Sequence, residues 1–547
     1  MSRSSLARSF VRLARQCRTA RGLGIPVAAL RSMEAETAAT TRLSRRGFLT
    51  GLTAGAAGLA FARRVSAHAS GIAQPRVAIV GAGISGLNCA LALLDRGIIP
   101  TVYEAAFRLG GRMYSDNTGY WNDNQVTEWC GEEIQATHTT ILALATRFGI
   151  PVDMLPSASQ SGQTDTYYFK GAYYPLTQAA ADFAAVSSTI DDAFNAAGAV
   201  TTFNTSTPGG RRLDKMSVNT WIAGHVPGGL SSNLGQLLSL IMVDEFGADA
   251  GDLSALNLIY FFGGPDLPGN AGQNGTTDVG FHIRGGNELL PQAIASHLTA
   301  NGVPIQMGMS MAAIQKRPDG TLRMSFETGA TTQDVDADLV VLTVPFAVLR
   351  NLDCKKADFD SRKRMAIRNL GRGMNGKLYL QFSHRLWNDP GPWGVSDGAS
   401  FGDTGCLATI EPTRAQPGSS GILSNLTGGP FTKKQASTTS FARIDNAGVK
   451  SDAQNFLTQI APVFPGLPAL WNGKAAQSLP HLSPFFNCSF SYWRPGQFQS
   501  IAGYERVRQH NIFFAGEHTS VSNQGFMEGA AQEGVRAAGE ILTQLGM

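Results

Sequence analysis

Arg76-Val77-Ala78-Ile79-Val80-Gly81-Ala82-Gly83-Ile84-Ser85-Gly86 is the stretch on which the fold turns. Residues 77–80 are a short apolar run, the kind of strand buried on both faces in a parallel sheet. A G-x-G-x-x-G run follows at once, and residues 87–96 then read as a helix. Gly81 permits the tight turn, Gly83 lets the backbone approach a pyrophosphate, and Gly86 lets helix and strand pack closely. Ile84 and Ser85 stand in the glycine turn just before the helix, whose free N–H groups and positive dipole end face the phosphates. Eighteen residues beyond Gly86 the next strand, 100–104, ends in an acid, so Glu104 is placed to accept hydrogen bonds from ribose hydroxyls. Strand, helix, second strand and acid in register predict an α/β fold with a Rossmann-like dinucleotide site. They do not separate a nicotinamide from a flavin.

Arg108-Leu109-Gly110-Gly111-Arg112 comes directly after that acid. A second glycine pair flanked by arginines lets backbone and guanidinium groups reach a diphosphate from its other side. Such a closed grip suits a permanently held FAD better than an exchanging nicotinamide. With these residues the chain resembles the flavin-containing amine oxidase family, which includes monoamine, polyamine and L-amino-acid oxidases. The resemblance continues through 128–138 (EWCGEEIQATH), Arg284 to Asn287 and Leu290, 342–345 (LTVP) and 516–534.

The resemblance implies a two-domain fold. A Rossmann-like FAD-binding domain is assembled from discontinuous segments, 75–136, 280–355 and 500–547. An α+β substrate-binding domain takes 137–279, expected to be mostly helical, and 356–499. Strands are expected at 322–327 and 338–344, and the resemblance places Met311 at the adenine. In 512–534 the order is a strand, Gly516-Glu517, a loop, then Gly525-Phe526-Met527-Glu528-Gly529-Ala530 opening a helix. A second helix N-terminus at the cofactor would stabilise negative charge on the reduced ring. By resemblance Glu517 binds the cofactor, Gly525 and Met527 flank it, and Phe526 is an aromatic wall facing it.

Lys377 matches the family lysine that holds a water beside the hydride-accepting nitrogen, and Tyr492 and Trp493 fall in the segment that lines the substrate side. Cys488 stands where monoamine oxidases carry the cysteine bonded to the flavin, but Ser489 replaces the tyrosine that follows it there. Noncovalent FAD and a buried free thiol are therefore expected. The implied reaction is oxidation of an amine to an imine, hydrolysis to a carbonyl and ammonia, and return of the flavin by oxygen with hydrogen peroxide. An L-amino-acid oxidase, a desaturase or porphyrinogen-type oxidase, and a non-catalytic FAD-binding protein are the alternatives. Glu133, with Glu128 and Glu132 nearby, stands where animal L-amino-acid oxidases carry a carboxylate-binding arginine, which favours an amine or diamine. Arg494 is the other candidate for a carboxylate grip.

The 547 residues are ample for a large core, and six cysteines without a CxxC pair exclude a disulfide framework or structural zinc. The formal net charge of +4 belongs to the first 69 residues, which carry twelve Arg, no Lys and only Glu34 and Glu36, a net of +10. The remaining 478 residues have a net charge of −6, so no nucleic-acid partner is expected. No apolar run reaches the roughly 18 residues of a membrane span. Ser44-Arg45-Arg46-Gly47-Phe48-Leu49, a weakly apolar stretch and Ala67-His68-Ala69 resemble a twin-arginine export signal. Residues 1–69 are thus expected to be a leader outside the fold, delivering an exported, periplasmic or secreted protein to the export machinery. Residues 1–32, with seven arginines and no acid, also read as an organellar transit peptide, and Met33 is the more usual start for such a leader. The small-molecule substrate and oxygen are the expected partners, and a homodimer is compatible with the sequence.

Overall fold

The computed structural model describes residues 5–27, 29–31, 33, 75–155, 163–264 and 280–547, with side chains from residue 10 onward. The arginine pair at 45–46 and the A-x-A site at 67–69 lie outside these residues.

Val77–Val80 is buried along its whole length and is the middle strand of a five-stranded sheet. The strand order is Ile305–Met307, Thr101–Glu104, Val77–Val80, Leu339–Leu342, Ile512–Phe514, and every pairing is parallel. All five strands come from the three segments expected to build the FAD-binding domain. The sheet closes because the C-terminal helix, Met527–Gln544, lies against the first glycine-loop helix, Ile84–Leu94. Gly534 sets that distance: a Cβ there would stand 2.2 Å from the Ser85 carbonyl oxygen. Leu322–Thr328 forms a separate three-stranded antiparallel sheet with its neighbours. Thr139–Arg147, assigned from sequence to the substrate-binding domain, buries Ile141 and Leu144 in the same cluster as Leu87 and Leu290 of the FAD-binding layer. Glu528 fixes it there, accepting from the Thr140 and Ile141 amides at 2.9 and 3.0 Å.

A mixed eight-stranded sheet forms the second layer. Its long central strands, Asn375–Phe382, Gly421–Gly428 and Trp471–Ser478, pair antiparallel. Ser396–Gly402 runs parallel to Thr164–Phe169 at its other side. Helices Leu176–Ala197, Asn233–Phe246 and Ala255–Phe262 share its core. Three of the helices in 208–246 begin with a hydroxyl cap, Thr207, Ser217 and Ser232, accepting from the amide three residues on.

The N-terminal helix Ser5–Leu23, expected from sequence to stay outside the fold, packs on this second layer. Phe10, Leu13, Ala14 and Cys17 are buried in its core, with the Phe10 ring edge-on to Tyr167 and Phe183. Arg18 and Arg21 both reach Asp191, at 3.0 and 3.2 Å, and Arg18 also donates to the Phe262 carbonyl. Arg12, Arg15 and Arg18, part of the composition that resembles a targeting signal, are half-buried in this packing rather than fully exposed. Among the described residues no helix is long and apolar enough to cross a membrane.

Candidate active site

A cleft of about 550 Å³ opens between the carboxyl ends of the parallel strands and the strand-to-helix turn at Phe526. Gly81, Gly83, Ile84, Ser85, Glu104, Gly110, Gly111, Arg112, Met311, Gly516, Glu517, Gly525, Phe526 and Met527 all line it. The exceptions among the expected cofactor residues are Gly86 and Arg108. Gly86 acts beneath the cleft, where a Cβ would stand 2.0 Å from the Gly81 carbonyl oxygen. Arg108 braces the loop rather than facing a ligand, donating to the Leu109 and Gly111 carbonyls with its guanidinium 3.9 Å over the Tyr114 ring.

The two glycine pairs face each other. Gly83 and Gly110 form a parallel bridge, and Gly81 has φ +111°, with room for a Cβ blocked by Thr343 at 2.3 Å. Gly83 itself has an ordinary extended backbone, and a Cβ there would meet only Gly111 Cα, at 3.9 Å. The protein alone does not require glycine at position 83; a ligand pressed against the backbone does. Ser85 Oγ, in the first turn of the helix and buried against the cleft, has no hydrogen-bond partner among the described residues. Glu104 is buried at the end of its strand and accepts from the Ala82 and Ala106 amides at 2.7 and 2.9 Å. Burial pushes its carboxyl above the ordinary value, while these amides pull it back. A diphosphate on the helix N-terminus and Ser85, with a ribose at Glu104, fits these donors and acceptors.

Glu517 ties the far half of the cleft together. Its carboxylate accepts from Arg112 Nη1 at 3.0 Å, the Ser491 hydroxyl at 2.9 Å and the Gly525 amide at 2.9 Å. Burial alone pushes this carboxyl up, but Arg112, His518 and Ser491 outweigh it and hold it below its ordinary value. Arg112 also donates to the Ser489 carbonyl at 2.8 Å, so the pair holds three segments of chain in one wall.

Lys377 is buried on the Asn375–Phe382 strand, and its ammonium donates to Glu128 O, Cys130 O and Glu132 Oε2 at 2.7, 2.6 and 2.6 Å. All three ammonium protons have protein acceptors, an arrangement the expected water-holding role did not anticipate. Tyr379, two residues on and so on the same strand face, donates to the same Glu132 oxygen at 2.7 Å. Beside them is a chamber of about 20 Å³ walled by Glu132, Asp244, Asn375, Gly376, Lys377, Ile410, Leu426 and Thr427. It abuts the Phe526 end of the cleft: Ser489, which lines the cleft, donates to Asn375 Oδ1 at 2.6 Å, and Gly131 packs on Met527.

Tyr492 and Trp493, expected to line the substrate side, line neither cavity. Both are packed in the second-layer core, where the Trp493 carbonyl accepts from Ser254 and Asn257 and its indole donates to Glu505. Ser489 and Phe490, just before them in the same stretch of chain, do line the cleft. Cys488 is buried beside those residues, and burial pushes its thiol up to about 11. The three acids near the expected carboxylate-binding position are each engaged. Glu128 holds His282 at 2.8 Å, Glu132 holds Lys377, and Glu133 stands 3.8 Å from Arg414. The Lys377–Glu132 contact was missed; the alternation Lys377-x-Tyr379 on one strand face, and the double acid after Gly131, are its sequence signals.

Sheet, glycine cradle and closing wall define a two-domain dinucleotide-binding protein. The family model of flavin containing amine oxidoreductases matches residues 84–542, and the chain belongs to that family. The family implies a flavin cofactor, FAD. The chain is 27% identical to YobN of Bacillus subtilis over 266 residues, 48% of this chain and 52% of that protein. It is 24% identical to an L-amino-acid oxidase of Siganus canaliculatus over 485 residues, 86% of this chain and 85% of that protein. The match thus spans only about half of one of these relatives. The fold is that of cyclohexylamine oxidase from Brevibacterium oxydans IH-35A, with a TM-score of 0.71 at 20% identity, covering 87% of this chain and 100% of that one.

Proposed function

We propose that the protein oxidises an amine lacking an α-carboxylate to an imine, which water hydrolyses to a carbonyl and ammonia. The observation that carries this reading is the buried, charge-paired Lys377 beside a one-water chamber at the Phe526 end of the cleft. When bound, FAD supplies the redox chemistry, accepting a hydride from the substrate carbon and passing two electrons to oxygen to give hydrogen peroxide.

The chain's own residues hold, orient and desolvate. Gly83, Gly110 and Gly111 give the diphosphate close approach, Ser85 Oγ offers it a donor, and Glu104 takes the ribose. Phe526 walls the reacting end, with its ring edge to His138 at 5.2 Å. The N-terminus of Met527–Gln544 directs its positive end at the same place. An apolar wall there favours the neutral amine over the ammonium, and only the neutral amine has a lone pair to assist loss of hydride. Arg112 is the one arginine lining either cavity among the described residues, and it is held by Glu517 and Ser489. Among the described residues, a substrate carboxylate in the cleft therefore meets no arginine that is not already paired with a carboxylate. Noncovalent FAD accords with the raised Cys488 thiol, a poor nucleophile. The test is a panel of amines and amino acids scored by loss of flavin colour under nitrogen and peroxide release in air. The reading predicts both signals with an amine.

A further inference from the structure

We propose that Glu132 is the group that accepts the proton of the bound substrate ammonium, through a single water seated in the chamber beside Lys377. This rests on the amine-oxidase reading and names a residue that reading leaves unassigned.

Glu132 is 6% exposed, and its two carboxylate oxygens have different surroundings. Oε2 accepts from Lys377 Nζ and from the Tyr379 hydroxyl, whereas Oε1 takes no donor from the described protein. Glu132 walls a chamber of about 20 Å³, enough for one water, and a water there has further polar neighbours in Asp244, Asn375 and Thr427. The two linings are one hydrogen bond apart: Ser489 of the cleft donates to Asn375 of the chamber, and Gly131, beside Glu132, packs on Met527 of the cleft.

The other nearby groups are poor acceptors of a proton. Lys377 is already an ammonium with three protein acceptors. Burial and Glu132 push the Tyr379 phenol well above its ordinary value, so it stays protonated. Glu128 is taken by His282, the Asn287 amide and Ser115. Burial raises the Cys130 thiol. Asp244 lines the chamber from its helix. The step is a proton relay with no change of oxidation state. A substrate N–H bond breaks as an O–H bond to the water forms. An O–H bond of that water breaks as its proton passes to Glu132 Oε1, and nitrogen keeps its lone pair.

The holoenzyme tests this with two probes: the amine that bleaches the wild-type flavin best, and its α,α-dimethyl analogue, which has no hydride to give. Affinity for the analogue is read from the flavin absorbance shift between pH 6 and 9. Wild type binds the ammonium and moves the proton inside, so its affinity should stay nearly constant. Glu132→Gln must bind the free base, so its affinity should rise about tenfold per pH unit. Parallel profiles overturn the proposal while leaving the amine-oxidase reading intact. If no amine bleaches the wild type, that reading falls and the proposal falls with it. Should Glu132→Gln not hold flavin, a crystal structure of the wild-type holoenzyme decides. A water bonded to Glu132 Oε1 supports the proposal, and a protein donor on Oε1 overturns it.

Discussion

The Arg112 guanidinium donates to the Glu517 carboxylate at 3.0 Å across 405 residues of chain, joining the second glycine loop to the C-terminal turn. Removing one member leaves the other charged and buried, which costs about 3–5 kcal/mol. Glu517→Gln should therefore lower the melting temperature and release FAD, measured by thermal melting and by flavin fluorescence in the filtrate. The pH dependence has a definite sign. A carboxyl held below its ordinary value of 4.5 contributes stability that is fully present above that pH. The contribution is lost as pH falls through the depressed folded value. Wild type should thus lose FAD only below about pH 4.5, and Glu517→Gln should lack this acid limb.

Gly83→Val separates ligand contact from folding. Its backbone is extended, and a Cβ meets only Gly111 Cα, at 3.9 Å. The variant should fold with the melting temperature of flavin-stripped wild type, yet stay colourless. Gly86→Ala should fail differently, because its Cβ would stand 2.0 Å from the Gly81 carbonyl, and soluble protein should be lost. A yellow Gly83→Val protein would count against the diphosphate site.

The glycine cradle was legible in the sequence because turn geometry and close approach restrict each position to one residue type. Glu104 was read from the end of its strand, whereas Met311, Glu517 and Phe526 were placed by family resemblance alone; all four line the cleft. The N-terminal helix was misread. Arginine-rich composition is shared by targeting segments and by the solvent face of an amphipathic helix, and only Phe10 against Phe183 and Arg18 against Asp191 distinguish them. Tyr492 and Trp493 were misplaced because which side a loop aromatic takes is fixed by tertiary packing, here by Ser254, Asn257 and Glu505, all distant from the motif in character. The Lys377–Glu132 pair spans 245 residues, so the Lys377-x-Tyr379 alternation and the double acid after Gly131 mark each partner but not their pairing.

Lys377→Met removes the buried cation at the reacting end and leaves Glu132 with only the Tyr379 hydroxyl. In stopped-flow traces, reoxidation by oxygen should slow about tenfold or more, with anaerobic reduction by substrate less affected. Unchanged reoxidation would take Lys377 out of the oxygen reaction. Reduction slowed as much as reoxidation would mean that it serves mainly to position Glu132.

Acid precipitation should leave the yellow colour in the supernatant. The Cys488 thiol is buried and raised to about 11, so little thiolate is present at neutral pH to bond a flavin. Colour held in the pellet, and lost in Cys488→Ser, would show a covalent link.

The substrate should be an amine rather than the corresponding α-amino acid. Glu128, Glu132 and Glu133 stand close to the position where a carboxylate grip was sought, and each has a basic neighbour in His282, Lys377 or Arg414. Those basic groups are thus already paired with carboxylates. Arg414 is further held by Asp397 at 3.0 Å, and Arg494 is exposed and lines neither cavity. A buried carboxylate without a partner costs several kcal/mol, so the amino acid should react at least about tenfold more slowly than its decarboxylated amine, compared by kcat/KM. Turnover of the amino acid tenfold above its amine would reverse this assignment. Arg414→Ala and Arg494→Ala would then show which guanidinium moves to meet the carboxylate.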